Sequence, residues 1–185
     1  VVPALVLAGT HWNELTGNLS DRVLATGNLV ILLLVYPVVK TLHELGHGFF
    51  TKIWGGTVHE MGLMFLVFAP SPYVDASAAS TFRSRWRRAL VGAAGMLVEV
   101  FVAALAMYVW VLVEPGAVRA VAFNVMLIAG FSTVVVNGNP LLRYDGYYIL
   151  SDLIEMPNLG QRGTRYLTWL SDRYLFGARD LEPLD

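Results

Sequence analysis

NLVILLLVYPVVKTLHELGHGFF, Asn28 to Phe50, decides how this chain is read. It opens as an apolar run long enough for a bilayer and ends in HELGH, residues 43–47. On a helix, positions i and i+4 project from one face a turn apart, so His43 and His47 can hold a single ion. Glu44 stands beside them, where a carboxylate can take a proton from an activated water. A hydrolytic metal pattern has been placed on a stretch that prefers lipid, and the rest of the chain must account for both.

The composition accounts for the lipid. Of 185 residues, 56% are hydrophobic and only 15% charged, with a mean hydropathy of +0.56. Soluble domains carry about 25% charged residues. The net charge of −1 gives no sign of a nucleic-acid partner. With no cysteine, disulfides and thiolate sites are excluded, so any metal takes nitrogen and oxygen ligands.

Three runs are long enough to span, at about residues 23–42, 89–113 and 119–136, the first continuing as helix through HELGH. The expected fold is therefore mainly α, a polytopic membrane protein with a three-helix transmembrane core. Residues 1–22 read as the tail of a preceding apolar segment and an outer loop, 23–160 as the core, and 161–185 as an interfacial helix and tail. The opening VVPALVLAGT suggests a piece of a longer chain with further spans or domains. Lys40, Lys52, Arg83, Arg85, Arg87 and Arg88 lie in or beside the first inter-span loop. Arg143, Arg162, Arg165, Arg173 and Arg179 follow the third span, and only Arg22 and Arg119 fall on the other side. The positive-inside rule makes that loop and the C-terminal tail cytoplasmic.

Between the first two spans, 57–68 is rich in strand formers and is closed by APSP, which predicts a short membrane-associated hairpin or edge strand. GTRYLTWLSDRYLFG, 163–177, predicts an amphipathic helix at the interface. His59 and Glu60 lack ligand spacing with the HELGH helix and read as surface residues. Asp75 reads as a loop or cap residue, and Lys40 as a side chain snorkelling to headgroups.

A catalytic zinc has three protein ligands and one open position. The third must come from another segment at the same end of the bundle, and the third span ends there. Asp145 follows it, beyond Pro140, whose missing N–H interrupts a helix. Taken alone, Asp145 before Gly146 reads first as a turn aspartate and second as a ligand.

HELGH with the downstream NGNPLLRYDG, 137–146, resembles the site-2 protease family of intramembrane zinc metallopeptidases, whose paired motifs are HExxH and N-x-x-P-x-x-x-x-D-G. Asn137, Pro140, Asp145 and Gly146 occupy the second motif without a gap. The wording of 139–159 and 73–99 is most similar to a bacterial branch of peptide zinc metalloproteases, and the likeness extends over about 23–160. It implies zinc on His43, His47 and Asp145, water activation by Glu44, and a substrate-contacting role for Asn137. One departure stands in the middle span. Where many members have G-P-x-x-N to hold substrate backbone, this chain has Gly95, Met96 and Glu99. An ionisable residue inside a span is costly and marks a functional position. Glu99 is expected to face the bundle interior, either as a second polar group toward the site and substrate or as the partner of an arginine.

The expected activity is hydrolysis of a membrane-associated or hydrophobic peptide by zinc-activated water, at a site toward the cytoplasmic side of an integral membrane protein. The alternative is a catalytically silent accessory of peptide export or maturation that keeps the fold. A transporter with a structural metal would need a fourth protein ligand, for which the sequence offers no candidate.

Overall fold

The computed structural model describes residues 1–66 and 69–177. Arg179 and the rest of the tail, and Val67 and Phe68 of the 57–68 segment, lie outside the described residues. Three short helices, α1 (Val2–Thr10), α2 (Trp12–Thr16) and α3 (Leu19–Leu24), lead into the long α4 (Thr26–Ile53). A hairpin of β1 (Met61–Leu66) and β2 (Ala69–Val74) follows, then a 3-10 turn at Ser77–Thr81 and α5 (Arg85–Leu112). After a tight turn, α6 (Ala117–Phe131) widens into a π-helical segment, Ser132–Asn137, and α7 (Asp145–Leu153) and α8 (Leu159–Tyr174) complete the chain.

The fold is mainly helical, and α4, α5 and the continuous helix Ala117–Asn137 are each long and apolar enough to cross a bilayer. Their outer faces carry exposed Leu33, Leu34 and Val38 on α4 and Leu97, Phe101 and Leu105 on α5. In water such a surface would be a liability, whereas in hydrocarbon it is the natural exterior. Ala89, Ala94, Ala104 and Ala106 of α5 are buried instead, small side chains that let helices approach closely. Cross-helix bonds fix the directions. His47 of α4 meets Val91 of α5 while Lys40 meets Glu99, so these two run antiparallel. Asn28 meets Asn124 while Lys40 meets Ser132, so α4 and α6 run parallel.

α5 is the central element, packed against α1, α4, α6 and α7. The larger apolar cluster lies at the end away from HELGH, where Ala4 of α1 joins Met107, Trp110 and Phe123. Both far-side arginines are held there. Arg119 pairs with Glu14 at 2.7 Å and lies over the Trp110 ring, and Arg22 lies over Phe123.

Two sequence expectations need correction here. The hairpin does not end at APSP, since Pro70 and Pro72 sit inside β2, opposite Phe65 and Leu63. Asp75 N–H donates to the Glu60 carbonyl, which makes the Met61–Val74, Leu63–Pro72 and Phe65–Pro70 pairs the non-hydrogen-bonded ones. Both prolines therefore stand where an N–H would point away from β1, and the ladder loses nothing. Lys40 does not snorkel either. It turns inward onto Glu99 and Ser132, because residues 40, 43 and 47 share the α4 stripe that faces α5 and α6. His59 is exposed beside Thr57, and Asp75 accepts from the Ser77 N–H at the start of the 3-10 turn. Hydrogen bonding from Ser77, its side chain first and its backbone N–H second, holds the Asp75 carboxyl below its usual range.

Candidate metal centre

The site is built at the end of the bundle where α4, α5, the π-helical segment and α7 meet. α4 supplies His43 and His47, both buried, with ring centroids 4.8 Å apart. Asp145 is the first residue of α7, where the positive end of the helix dipole favours a carboxylate. The helix leading to it ends earlier than Pro140 suggests. Gly138 N–H closes on Thr133 O at 2.8 Å, five residues back, and the chain then turns through 138–144. Gly146 lets that turn fold under the π-helical segment, since a Cβ there would fall 2.7 Å from the Asn137 carbonyl oxygen.

Among the described residues, His43, His47 and Asp145 form a group whose ligand atoms lie within 4.8 Å of one another. His43 Nε2 is 3.1 Å from His47 Nε2 and 3.1 Å from Asp145 Oδ2, and His47 Nε2 is 3.6 Å from the same oxygen. The opposite ring nitrogens decide the protonation. His47 Nδ1 is 2.7 Å from the Val91 carbonyl oxygen, and His43 Nδ1 is 3.2 Å from Glu99 Oε1. Each of these oxygens is an acceptor, so each Nδ1 carries the proton and each Nε2 presents a lone pair. Asp145 Oδ2 is buried, and among the described residues nothing donates a hydrogen bond to it. Two lone-pair nitrogens and a carboxylate oxygen thus converge with no donor between them. Such a set is costly when left alone and suits a cation. The group can hold a metal ion.

α5 is shaped to admit the ligand. A Cβ on Gly95 would lie 2.4 Å from His43 Nε2, so only glycine leaves room for that ring. Glu44, half-buried, lies within electrostatic reach of His43, His47 and Asp145 and beside the Val74 backbone of β2. The hairpin therefore flanks the side of α4 that carries Glu44, and Gly48 receives the Val74 side chain.

Asn137 and Glu99 lie on the other side of His43, behind its Nδ1. Asn137 Nδ2 is 3.5 Å from that nitrogen and donates to Ser132 Oγ at 3.2 Å. Glu99, 1% exposed, faces the interior as expected, but its cationic partner is Lys40 at 2.8 Å rather than an arginine. Thr133 Oγ1 donates to its other oxygen at 2.7 Å. Sequence reasoning missed Lys40, Ser132, Thr133 and the Val91 carbonyl as neighbours of the site. The i−3 spacing of Lys40 from His43 was a usable signal, whereas nothing in the sequence marks a carbonyl. No protein-family model, curated protein or solved structure matches this chain.

Proposed function

We propose that this chain is a membrane-embedded zinc endopeptidase of the site-2 protease type. The observation that carries the reading is the set of separations among the three unprotonated atoms, 3.1, 3.1 and 3.6 Å. Three ligands bound at about 2.0–2.1 Å in a tetrahedral arrangement stand roughly 3.3 Å apart. A set of nitrogen and oxygen donors with one position left open is the usual equipment of a catalytic zinc rather than a structural one. His43, His47 and Asp145 would hold the ion, which when bound supplies Lewis acidity toward a carbonyl and a water acidic enough to ionise near neutral pH.

The chain's own groups do the remainder. Glu44 accepts the proton of the attacking water and returns it to the amide nitrogen that leaves. The apolar spans admit a hydrophobic or membrane-associated peptide and keep bulk water from it. A helical substrate has its amides internally bonded and must unwind before a carbonyl is open to attack. In the hairpin beside Glu44, the proline-free strand β1 offers an outer edge on which an unwound segment can pair. By the positive-inside rule, the site end of the bundle faces the cytoplasm.

The test uses two variants of the full chain in detergent. Asp145→Ala removes one of three ligands and should lose zinc and cleavage together. Glu44→Gln keeps the side chain's shape, should retain about one zinc per chain, and should lower cleavage of a model membrane peptide by ~10²-fold or more. Wild-type cleavage by Glu44→Gln would refute the mechanism. Zinc binding without cleavage by the wild-type chain would favour the accessory reading.

A further inference from the structure

A buried acid–base network lies behind His43 and takes no part in the chemistry proposed above. Glu99 is fully enclosed within a span, and each of its oxygens is engaged. Oε2 accepts from Thr133 at 2.7 Å, and Oε1 lies 2.8 Å from Lys40 Nζ and 3.2 Å from His43 Nδ1. Lys40 Nζ also donates to Ser132 Oγ, which accepts in turn from Asn137. A carboxylate enclosed within a span is costly even on lenient insertion scales. A lysine alone would neutralise it, yet the acid is aimed at a metal-binding imidazole as well. Among the described residues, His43 Nδ1 meets Glu99 Oε1 at 3.2 Å and Asn137 Nδ2 at 3.5 Å. Of these atoms only the carboxylate oxygen can accept a proton.

We infer that Glu99 is a positioning residue for the metal centre, holding His43 with its proton on Nδ1 and its Nε2 lone pair toward His47 and Asp145, while Lys40 balances its charge inside the bundle. A carboxylate on the far nitrogen of a metal-bound histidine fixes the ring's orientation and raises its basicity, and losing it typically costs 10- to 100-fold in metal affinity. Lys40, 2.8 Å from Oε1, supplies the positive charge that lets the carboxylate stay ionised in apolar surroundings. The inference rests on the metal-site reading above.

The experiment measures zinc affinity by chelator competition on the full chain in detergent, with the cobalt(II) absorption spectrum as a reporter of ligand geometry. Glu99→Gln should weaken zinc 10- to 100-fold and shift the cobalt bands. Because a lone Lys40 would then be buried unpaired, Lys40→Met/Glu99→Gln is the decisive variant. It removes both charges and should restore the unfolding temperature, yet should keep the weakened zinc binding. A folded double variant with wild-type zinc affinity and cobalt spectrum would overturn the inference and leave the pair a structural one. Should both variants fail to fold, nitrogen-15 imidazole shifts of the zinc-loaded wild type decide. His43 should carry its proton on Nδ1 and bind through Nε2, and the opposite tautomer would overturn the inference. Wild-type zinc binding by His43→Ala would instead sink the metal-site reading itself.

Discussion

Gly95→Ala is the sharpest single test of the metal centre, because two effects of known sign oppose each other. In the middle of a helix, alanine is favoured over glycine by about 1 kcal/mol, so propensity alone predicts a modest gain in stability. The added Cβ, however, would stand 2.4 Å from His43 Nε2, where ordinary contact begins at 3.4 Å. The ring or the helix must yield by about 1 Å, while ligand distances in a working site hold within ~0.2 Å. Overpacking of this kind typically costs 1–3 kcal/mol, enough to cancel or exceed the propensity gain. The larger consequence falls on the ligand, and zinc affinity should fall by about 100-fold or more, beyond the usual cost of losing an outer partner. Gly130→Ala on α6 is the control, since a Cβ there meets nothing within 4 Å. It should leave metal binding unchanged and stability equal or slightly raised. Chelator-competition titration and thermal unfolding in detergent measure both quantities. Wild-type zinc affinity in Gly95→Ala would refute the placement of the His43 ring against α5.

Gly146→Ala should also weaken zinc, because its Cβ would meet Asn137 and Gly138 backbone at 2.7–2.8 Å and push α7, with Asp145, away from the histidines. Metal titration checks it, and unchanged affinity would contradict the close turn. Lys40→Met should destabilise the bundle by roughly 3 kcal/mol, the scale for leaving one member of a buried ion pair alone, read as a loss in thermal unfolding that Lys40→Met/Glu99→Gln recovers. Asn124→Ala removes the 2.6 Å bond to Asn28 at the far end of α4. Interhelical hydrogen bonds in membranes are worth about 0.6 and at most about 1.7 kcal/mol, so stability should drop by less than ~2 kcal/mol with zinc affinity untouched.

The three spans and the stripe bearing His43 and His47 follow from the sequence, because span length and the i, i+4 rule are local properties of a helix. The inward face of Glu99 was legible for a similar reason: lipid does not solvate a carboxylate, so burial was its only recourse. Asp145 was less legible. Its place before Gly146 fits a common turn, and only the chain's return beneath the π-helical segment brings its oxygen to 3.1 Å from His43 Nε2. The identity of Glu99's partner was settled by tertiary structure, since Lys40 can in principle reach either headgroups or interior. Its stripe is shared with His43, and once α5 packs there the carboxylate outcompetes water for the ammonium. The second strand was hidden because proline argues against a strand in general, while the argument depends on which way the missing N–H would point. That direction is a property of register, and register exists only once β1 and β2 have paired. The sequence by itself determined which residues are chemically equipped to bind a metal. The protonation that leaves their lone pairs free was decided by a carbonyl on Val91 and a carboxylate on Glu99, both donated by a helix more than forty residues away.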